Sequence, residues 1–295
     1  MVLAPINYIS YLYSKFKTNM ADIKHKNIST RSGQLLAYFG EKNTPCFSSE
    51  DVKKLFPGTE PVNIRVLLSS MVKRGLLMRL KDGVYYIIPY EQDSNTFMPD
   101  WHLLAQYLVG DAKYYIGYYS AMQVHSLITQ PALKEQIVVN KQIKPAVLKI
   151  RNISFQFIYH NDKHFFGAKK TWVDSHNKVM CADLEKTFVD ALFKPEYAGG
   201  ITEIAKAIYK SREQIDFNKL LDYINDFDSL AVTKRMGYLL ELLEIQSLVI
   251  AKLQKMKTNS YFLLEPSHPK QGKSVSHWNI QENIDKQSIL SPIFT

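Results

Sequence analysis

The run LLMRLKDGVYYIIP, residues 76–89, sets two β-prone apolar segments on either side of Lys81-Asp82-Gly83. Asp-Gly between apolar runs is a strong hairpin signal, because a tight turn needs residues that tolerate positive φ. Three helical patterns precede it. STRSGQLLAYFGEK has a Ser/Thr start and sets Leu35, Leu36 and Phe39 at helical spacing. FSSEDVKKLFPG offers Ser49 as a cap, acids in its first turn and a stop at Pro57-Gly58. EPVNIRVLLSSMVKRG has Pro61 at its start and Gly75 just past its end, the usual asymmetry of those two residues. Three short helices followed by a hairpin predict a winged helix-turn-helix domain over residues 28–92.

On a helical wheel, Ile64, Leu67, Leu68 and Met71 of the third helix share one face. Val62, Arg65, Val66, Ser69 and Lys73 lie opposite, with Asn63 and Ser70 on a flank. That outer face is small, polar and cationic, which suits a major groove: Asn63 and Arg65 would read base edges, and Ser69 and Lys73 would hold phosphates. Arg79 and Lys81 flank the hairpin tip, within reach of phosphates or a minor groove. The charge distribution points the same way. Residues 1–90 hold 13 Lys and Arg against 6 Asp and Glu, a surplus of 7; residues 91–295 hold 24 against 22, a surplus of 2. A local cationic surplus is the footprint of a phosphate-backbone binder, although acidic protein partners or solubility also produce one.

The net charge of +9, hydrophobic content of 46% and charged content of 22% belong to a globular chain rather than a disordered one. Its 295 residues suit two domains. No apolar stretch approaches the roughly 20 residues of a membrane span. Cys46 and Cys181 form no CxxC pair, so a reducing, cytoplasmic setting without a zinc site is expected. Residues 1–27 read as an extra helix or ordered arm, with lysines after the apolar part, the reverse of a signal peptide. The polar stretch 90–101 marks a linker. Beyond it, WHLLAQYLVG predicts a short helix, KYYIGYYSAMQVHSL a turn into a second, and EQIVVN and ISFQFIYH strands. Phe155, Phe157 and Tyr159 alternate with Ser154, Gln156 and Ile158 as in a half-buried strand. HFFGAKKTWV and KVMCA continue the β-prone region, and helices follow over 183–194, 200–211, 216–225 and 231–245. Strands then helices predict an α+β domain over 100–265, helical in its C-terminal half. The tail, 266–295, is polar around Trp278 and is expected to lie across that domain's surface.

Candidate residues for chemistry are few. His160 and His164 have HxxxH spacing, but the pair ends a strand and spans HNDKH, a turn, so a surface turn is expected rather than a metal site. GDAKYYIGYYS lacks the spacing and the strand-to-helix setting of a phosphate loop. In DLEKTFVDALFKPEYAGGI, residues 183–201, four carboxylates stand close together: Asp183, Glu185, Asp190 and Glu196. Each of the first three has a local role. Asp183 caps a helix, Glu185 suits its first turn, and Asp190 sits between Lys186 and Lys194 at four-residue spacing. A scaffold helix is the expected reading, with a catalytic metal site or a partner-binding surface as alternatives. No cofactor is expected.

An ordered set of segments resembles the AbiEi-type antitoxins of bacterial abortive-infection (type IV) toxin–antitoxin systems. The set comprises RGLLMRLKDGVYYIIP, YYIGYYSAMQVHSL, FFG, DLEKTFVDALFKPEYAGGI, VTKRMGYLLELL and SHWNIQEN, spanning roughly residues 30–285. The resemblance implies an N-terminal domain that binds operator DNA and represses its own operon. It implies a larger mixed α+β antitoxin domain that neutralises a cognate nucleotidyltransferase-like toxin, with no catalytic residues of its own. Carried over by position, Asn63, Arg65, Ser69, Arg79 and Lys81 would contact operator DNA. Asp183, Glu185, Lys186, Asp190, Gly199, Gly200 and Arg235 fall in segments that shape the antitoxin domain. Two other readings stay open: a metal-dependent enzyme acting on nucleic acid, with Asp183, Glu185 and Asp190 around a divalent ion, and a pure protein-interaction module.

Overall fold

The computed structural model describes residues 26–130, 134–175, 177–256 and 258–294. The arm expected over residues 1–27 lies outside the described residues apart from Lys26 and Asn27. The chain divides into two compact units, Met1–Pro99 and Asp100–Thr295.

In the first unit, α1 (Thr30–Glu41) begins at Ser29, whose hydroxyl accepts from the Ser32 amide. Strand β1 (Cys46–Ser48) runs into α2 (Ser49–Leu55). The cap of α2 is Ser48, not the expected Ser49. Ser48 Oγ accepts from the Asp51 amide at 3.2 Å while the Asp51 carboxylate accepts from the Ser48 amide at 2.9 Å. That reciprocal pair needs the serine three residues before the acid, which selects the first of two adjacent serines. Helix α3 (Pro61–Lys73) follows, then β2 (Leu77–Lys81) and β3 (Val84–Ile87), joined at Gly83 with φ +72°. Strand β1 pairs antiparallel with β3, giving a sheet of order β1-β3-β2. Leu35, Phe39, Phe47, Val52, Ile64, Leu68 and Met71 form the core, in which Phe39 stacks on Phe47 at 4.3 Å. Arg74, one residue past α3, donates to Asn27 O at 2.7 Å, Ser32 Oγ at 2.8 Å and Ser70 O at 3.3 Å. This cation ties α3 to the start of α1.

The second unit is mixed α+β. Helix α4 (Trp101–Leu108), capped by Asp100, precedes β4 (Tyr114–Ile116) and α5 (Tyr118–Val124). Strands β5 (Lys134–Val139), β6 (Val147–Ile150), β7 (Ile153–Tyr159), β8 (Ala168–Trp172) and β9 (Lys178–Ala182) complete a six-stranded sheet of order β6-β7-β5-β4-β9-β8. The β5–β7 and β4–β9 pairs are parallel and the others antiparallel. Strand β6 has no counterpart in the sequence reading; only Ile150 of its four residues is buried, and pairing with β7 defines it. The expected alternation in β7 holds through Phe157 and then fails. Ile158 is buried and Tyr159 exposed, and Ile137, Val138 and Val139 on the paired β5 are all buried. A parallel pair covered on both faces has no polar side to alternate with.

The helical half comprises α6 (Leu184–Phe193), a short 3-10 turn (Pro195–Tyr197), α7 (Gly200–Ser211), α8 (Phe217–Phe227), α9 (Leu230–Leu242) and α10 (Val249–Met256). No described helix is long and apolar enough to cross a membrane. The C-terminal stretch adds β10 (Phe262–Leu263), β11 (Lys273–Val275) and β12 (Ile280–Glu282), a sheet of order β10-β12-β11, and α11 (Lys286–Phe294). Within it Trp278 is only 1% exposed, and its indole N–H donates to Glu241 Oε2 at 2.6 Å. The ring covers Gly237 of α9 so closely that a Cβ at that position would overlap it.

Gly237→Ala should therefore lower stability by about 1–3 kcal/mol, the usual cost of overpacking. For a unit of this size that corresponds to a fall in Tm of roughly 2–4 °C per kcal/mol, read by thermal denaturation. An unchanged Tm would show that Trp278 does not lock the tail.

Candidate nucleic-acid interface

Helix α3 has one buried face. Ile64, Leu68 and Met71 are at most 1% exposed, while Val62, Asn63, Arg65, Val66, Ser69 and Lys73 are exposed. The wheel assignment thus matches the observed burial except at Leu67, which is half-buried. Val62, Arg65, Val66, Ser69, Ser70 and Lys73 line one shallow depression, and Asn63 is not among its lining residues. Among the described residues no carboxylate lies within ion-pair distance of Arg65 or Lys73.

The hairpin differs from expectation. Arg79 is exposed but pairs with Asp82 across the turn, and so open an ion pair contributes little. Lys81 is half-buried, and burial lowers its pKa, with Cys46 opposing the shift. The β2–β3 register shifts between Arg79 and Lys81, and Leu80 between them is buried.

The acidic stretch folds as a helix, but not as one with a polar outer face. Asp183 caps α6 by accepting from the Lys186 amide at 2.9 Å. Glu185, Lys186, Thr187 and Asp190 are all buried. Asp190 bonds to the Lys186 ammonium and accepts from Tyr115 Oη at 3.0 Å. Burial lowers the pKa of Lys186 and Asp190 pulls it back. Lys194 is not the second partner of Asp190. It ends the helix with φ −133°, and its ammonium lies over the Phe193 and Tyr197 rings. Instead Lys219 of α8 bridges Asp183 and Glu185 at 2.9 Å each, and Tyr223 Oη donates to Asp183 at 2.9 Å. Partial burial opposes the charge of Lys219, but the two carboxylates outweigh it and raise its pKa. Farther on, Gly199 adopts φ +81° ahead of α7, and a Cβ on Gly200 would stand 2.8 Å from Glu265 Oε2. That oxygen accepts from the Ile201 amide, a carboxylate placed on a helix N-terminus. Arg235 donates to Leu192 O at 2.6 Å and to Leu263 O, joining the end of α6 to β10.

His160 is buried, not part of a surface turn. Tyr118 Oη lies 2.8 Å from its Nε2 and Tyr115 Oη 3.3 Å from its Nδ1. Burial lowers its pKa to about 4, with Asp190 opposing and Lys186 adding to the shift. The ring is therefore neutral near pH 7, and one proton assignment satisfies every partner. Tyr118 donates to Nε2 and Nδ1–H donates to Tyr115 Oη, which also accepts from Lys186 and donates to Asp190. His164 stacks on Phe227 at 3.8 Å and donates to Phe227 O at 3.1 Å. Tyr115, Tyr118, Lys219 and Tyr223 carry no signal in their sequence spacing, since the fold alone assembles them. Contrary to expectation, GDAKYYIGYYS does have a strand-to-helix setting, formed by β4, Gly117 and α5. Gly117 is there for packing, because a Cβ would meet Val138 Cγ2 at 2.7 Å. Among the described residues no group of three or more His, Cys, Asp and Glu is placed to hold a metal ion.

No family model matches the chain, and neither does any curated protein. Among solved structures the chain is similar to the RV2827C protein from Mycobacterium tuberculosis, seen in a crystal structure. The TM-score is 0.66 at 14% identity, covering 92% of this chain and 97% of that one. At that identity the likeness shows the fold alone.

Lys186→Met would leave the Asp190 carboxylate buried without its cation and should cost about 3–5 kcal/mol in urea unfolding. Lys186→Met combined with Asp190→Leu should cost less than that single change, since no charge is stranded. Equal or greater loss in the double variant would show that the pair does not act as a unit.

Proposed function

We propose that the chain is a DNA-binding repressor and antitoxin without catalytic activity. In this reading the first unit is a winged helix-turn-helix that binds operator DNA upstream of its own reading frame. The second neutralises a nucleotidyltransferase-like toxin. The observation that carries the DNA-binding half is the outer face of α3. Arg65 and Lys73 stand exposed there beside Ser69 and Asn63, with no carboxylate within ion-pair distance among the described residues. Cations held by nearby acids have less to gain from phosphate; these two are open to it. The order of three helices, hairpin and third strand supports the winged-helix reading. Arg79 at the wing would exchange Asp82 for phosphate, and half-buried Lys81 is the weaker candidate.

The antitoxin half rests on the resemblance of residues 30–285 to the AbiEi-type family. The same segments build the second unit's scaffold: Asp183 to Ile201 forms α6 and the start of α7, and Arg235 locks α6 to β10. A metal-dependent nuclease would need Asp183, Glu185 and Asp190 to converge on an ion. Here they hold Lys219, Tyr223, Lys186 and Tyr115 instead.

Each Lys or Arg that neutralises a phosphate adds about 0.9 to the slope of log K against log salt. Arg65→Ala with Lys73→Ala should thus weaken binding to the upstream DNA and flatten that slope by about 2, while rescue of cells expressing the neighbouring toxin persists. Loss of rescue with DNA binding unchanged would contradict the assignment of roles to the two units.

A further inference from the structure

Two residues on the outer face of α3 are neither polar nor cationic. Val62 is 60% exposed and Val66 62%. They stand one turn apart among Arg65, Ser69, Ser70 and Lys73 on the wall of the same depression. Valine restricts its own χ1 in a helix and is a poorer helix former than alanine, so neither residue serves α3 itself. Neither serves the core, which Ile64, Leu68 and Met71 fill from the other side. A scattered exposed apolar residue needs no explanation, but two adjacent ones inside a cationic face do.

We infer that Val62 and Val66 pack against the 5-methyl groups of thymine in the major groove, so that α3 selects thymine-bearing sites. The inference rests on the DNA-binding reading above. The major groove offers one prominent apolar feature, the thymine methyl, and small aliphatic side chains are what contact it. At 1.5 Å rise per residue the two valines are about 6 Å apart along the helix, a spacing suited to base pairs one or two steps apart at about 3.4 Å per step. Arg65 lies between them in sequence and would reach a guanine edge or a phosphate, and Ser69 and Lys73 continue the face towards the backbone. Charge favours a polyanion over an apolar protein surface. Residues 26–90 hold ten Lys and Arg against five Asp and Glu, a surplus of five.

The test uses the full-length chain and a randomised duplex library. The best-bound sequence is then compared with duplexes in which single thymines are replaced by uracil, which differs only by the missing methyl. At one or two positions uracil should weaken binding about four-fold, the value of one buried methyl. Val62→Ala with Val66→Ala should make the thymine and uracil duplexes bind alike; both positions are exposed and alanine favours the helix, so the fold is retained. Salt-dependent binding indifferent to uracil at every position overturns the methyl contact and leaves the DNA reading standing, as does discrimination that survives in the valine variant. If no duplex is bound in a salt-dependent way, the DNA reading falls with it and an acidic protein partner takes its place.

Discussion

The second unit depends on a buried charge. Lys186 and Asp190 are both fully buried and bonded to each other one turn apart on α6. Two charges taken out of water are tolerable only when every remaining hydrogen-bonding position is filled. The fold meets that condition with groups from five other places. Tyr115 comes from β4, Tyr118 from α5, His160 from the end of β7, and the rings of Phe166 and Phe227 lie 5.0 and 4.9 Å from the Lys186 ammonium. The sheet and the helices are therefore tied to each other through one polar centre. Gly167 permits the arrangement: it holds φ +70°, and a Cβ there would come within 2.8 Å of Lys186 Cβ.

That condition also separates scaffold from surface. The acids of the second unit that look most like catalytic groups are consumed by lysines and tyrosines. In the first unit the logic is reversed. Arg74 is engaged with carbonyl and hydroxyl groups and Arg79 with Asp82, whereas Arg65 and Lys73 have no acid nearby among the described residues. The outer face of α3 thus keeps two cations, Arg65 and Lys73, open to a partner.

The N-terminal unit was legible because its elements are local. The helices carry caps and a Pro and Gly at their ends, and the Asp-Gly hairpin names its own turn. The wheel of α3 predicted the buried face with Leu67 only half-buried, since an amphipathic helix on a single core needs only its own periodicity. The register shift in the hairpin and the partial burial of Lys81 were not legible. In the second unit, caps such as Asp183 could be read, but the partners of α6 could not. Four-residue spacing suggested Lys194 for Asp190, whereas helix termination removed it and Lys219, 34 positions from Glu185, paired with the acids instead. His160 reads as a turn residue in sequence because nothing local shows that α5, α6 and α8 close over it.

Cys46 and Cys181 are both buried, and burial pushes the Cys46 thiol up to about 12. A cysteine placed on the exposed face of α3 by Ser69→Cys is thus the one site open to a photoactivatable thiol label. Labelled protein irradiated on the DNA upstream of its own reading frame should crosslink through position 69, and the yield should fall as salt rises. Retained DNA binding with no crosslink from position 69 would contradict the assignment of α3 as the reading surface.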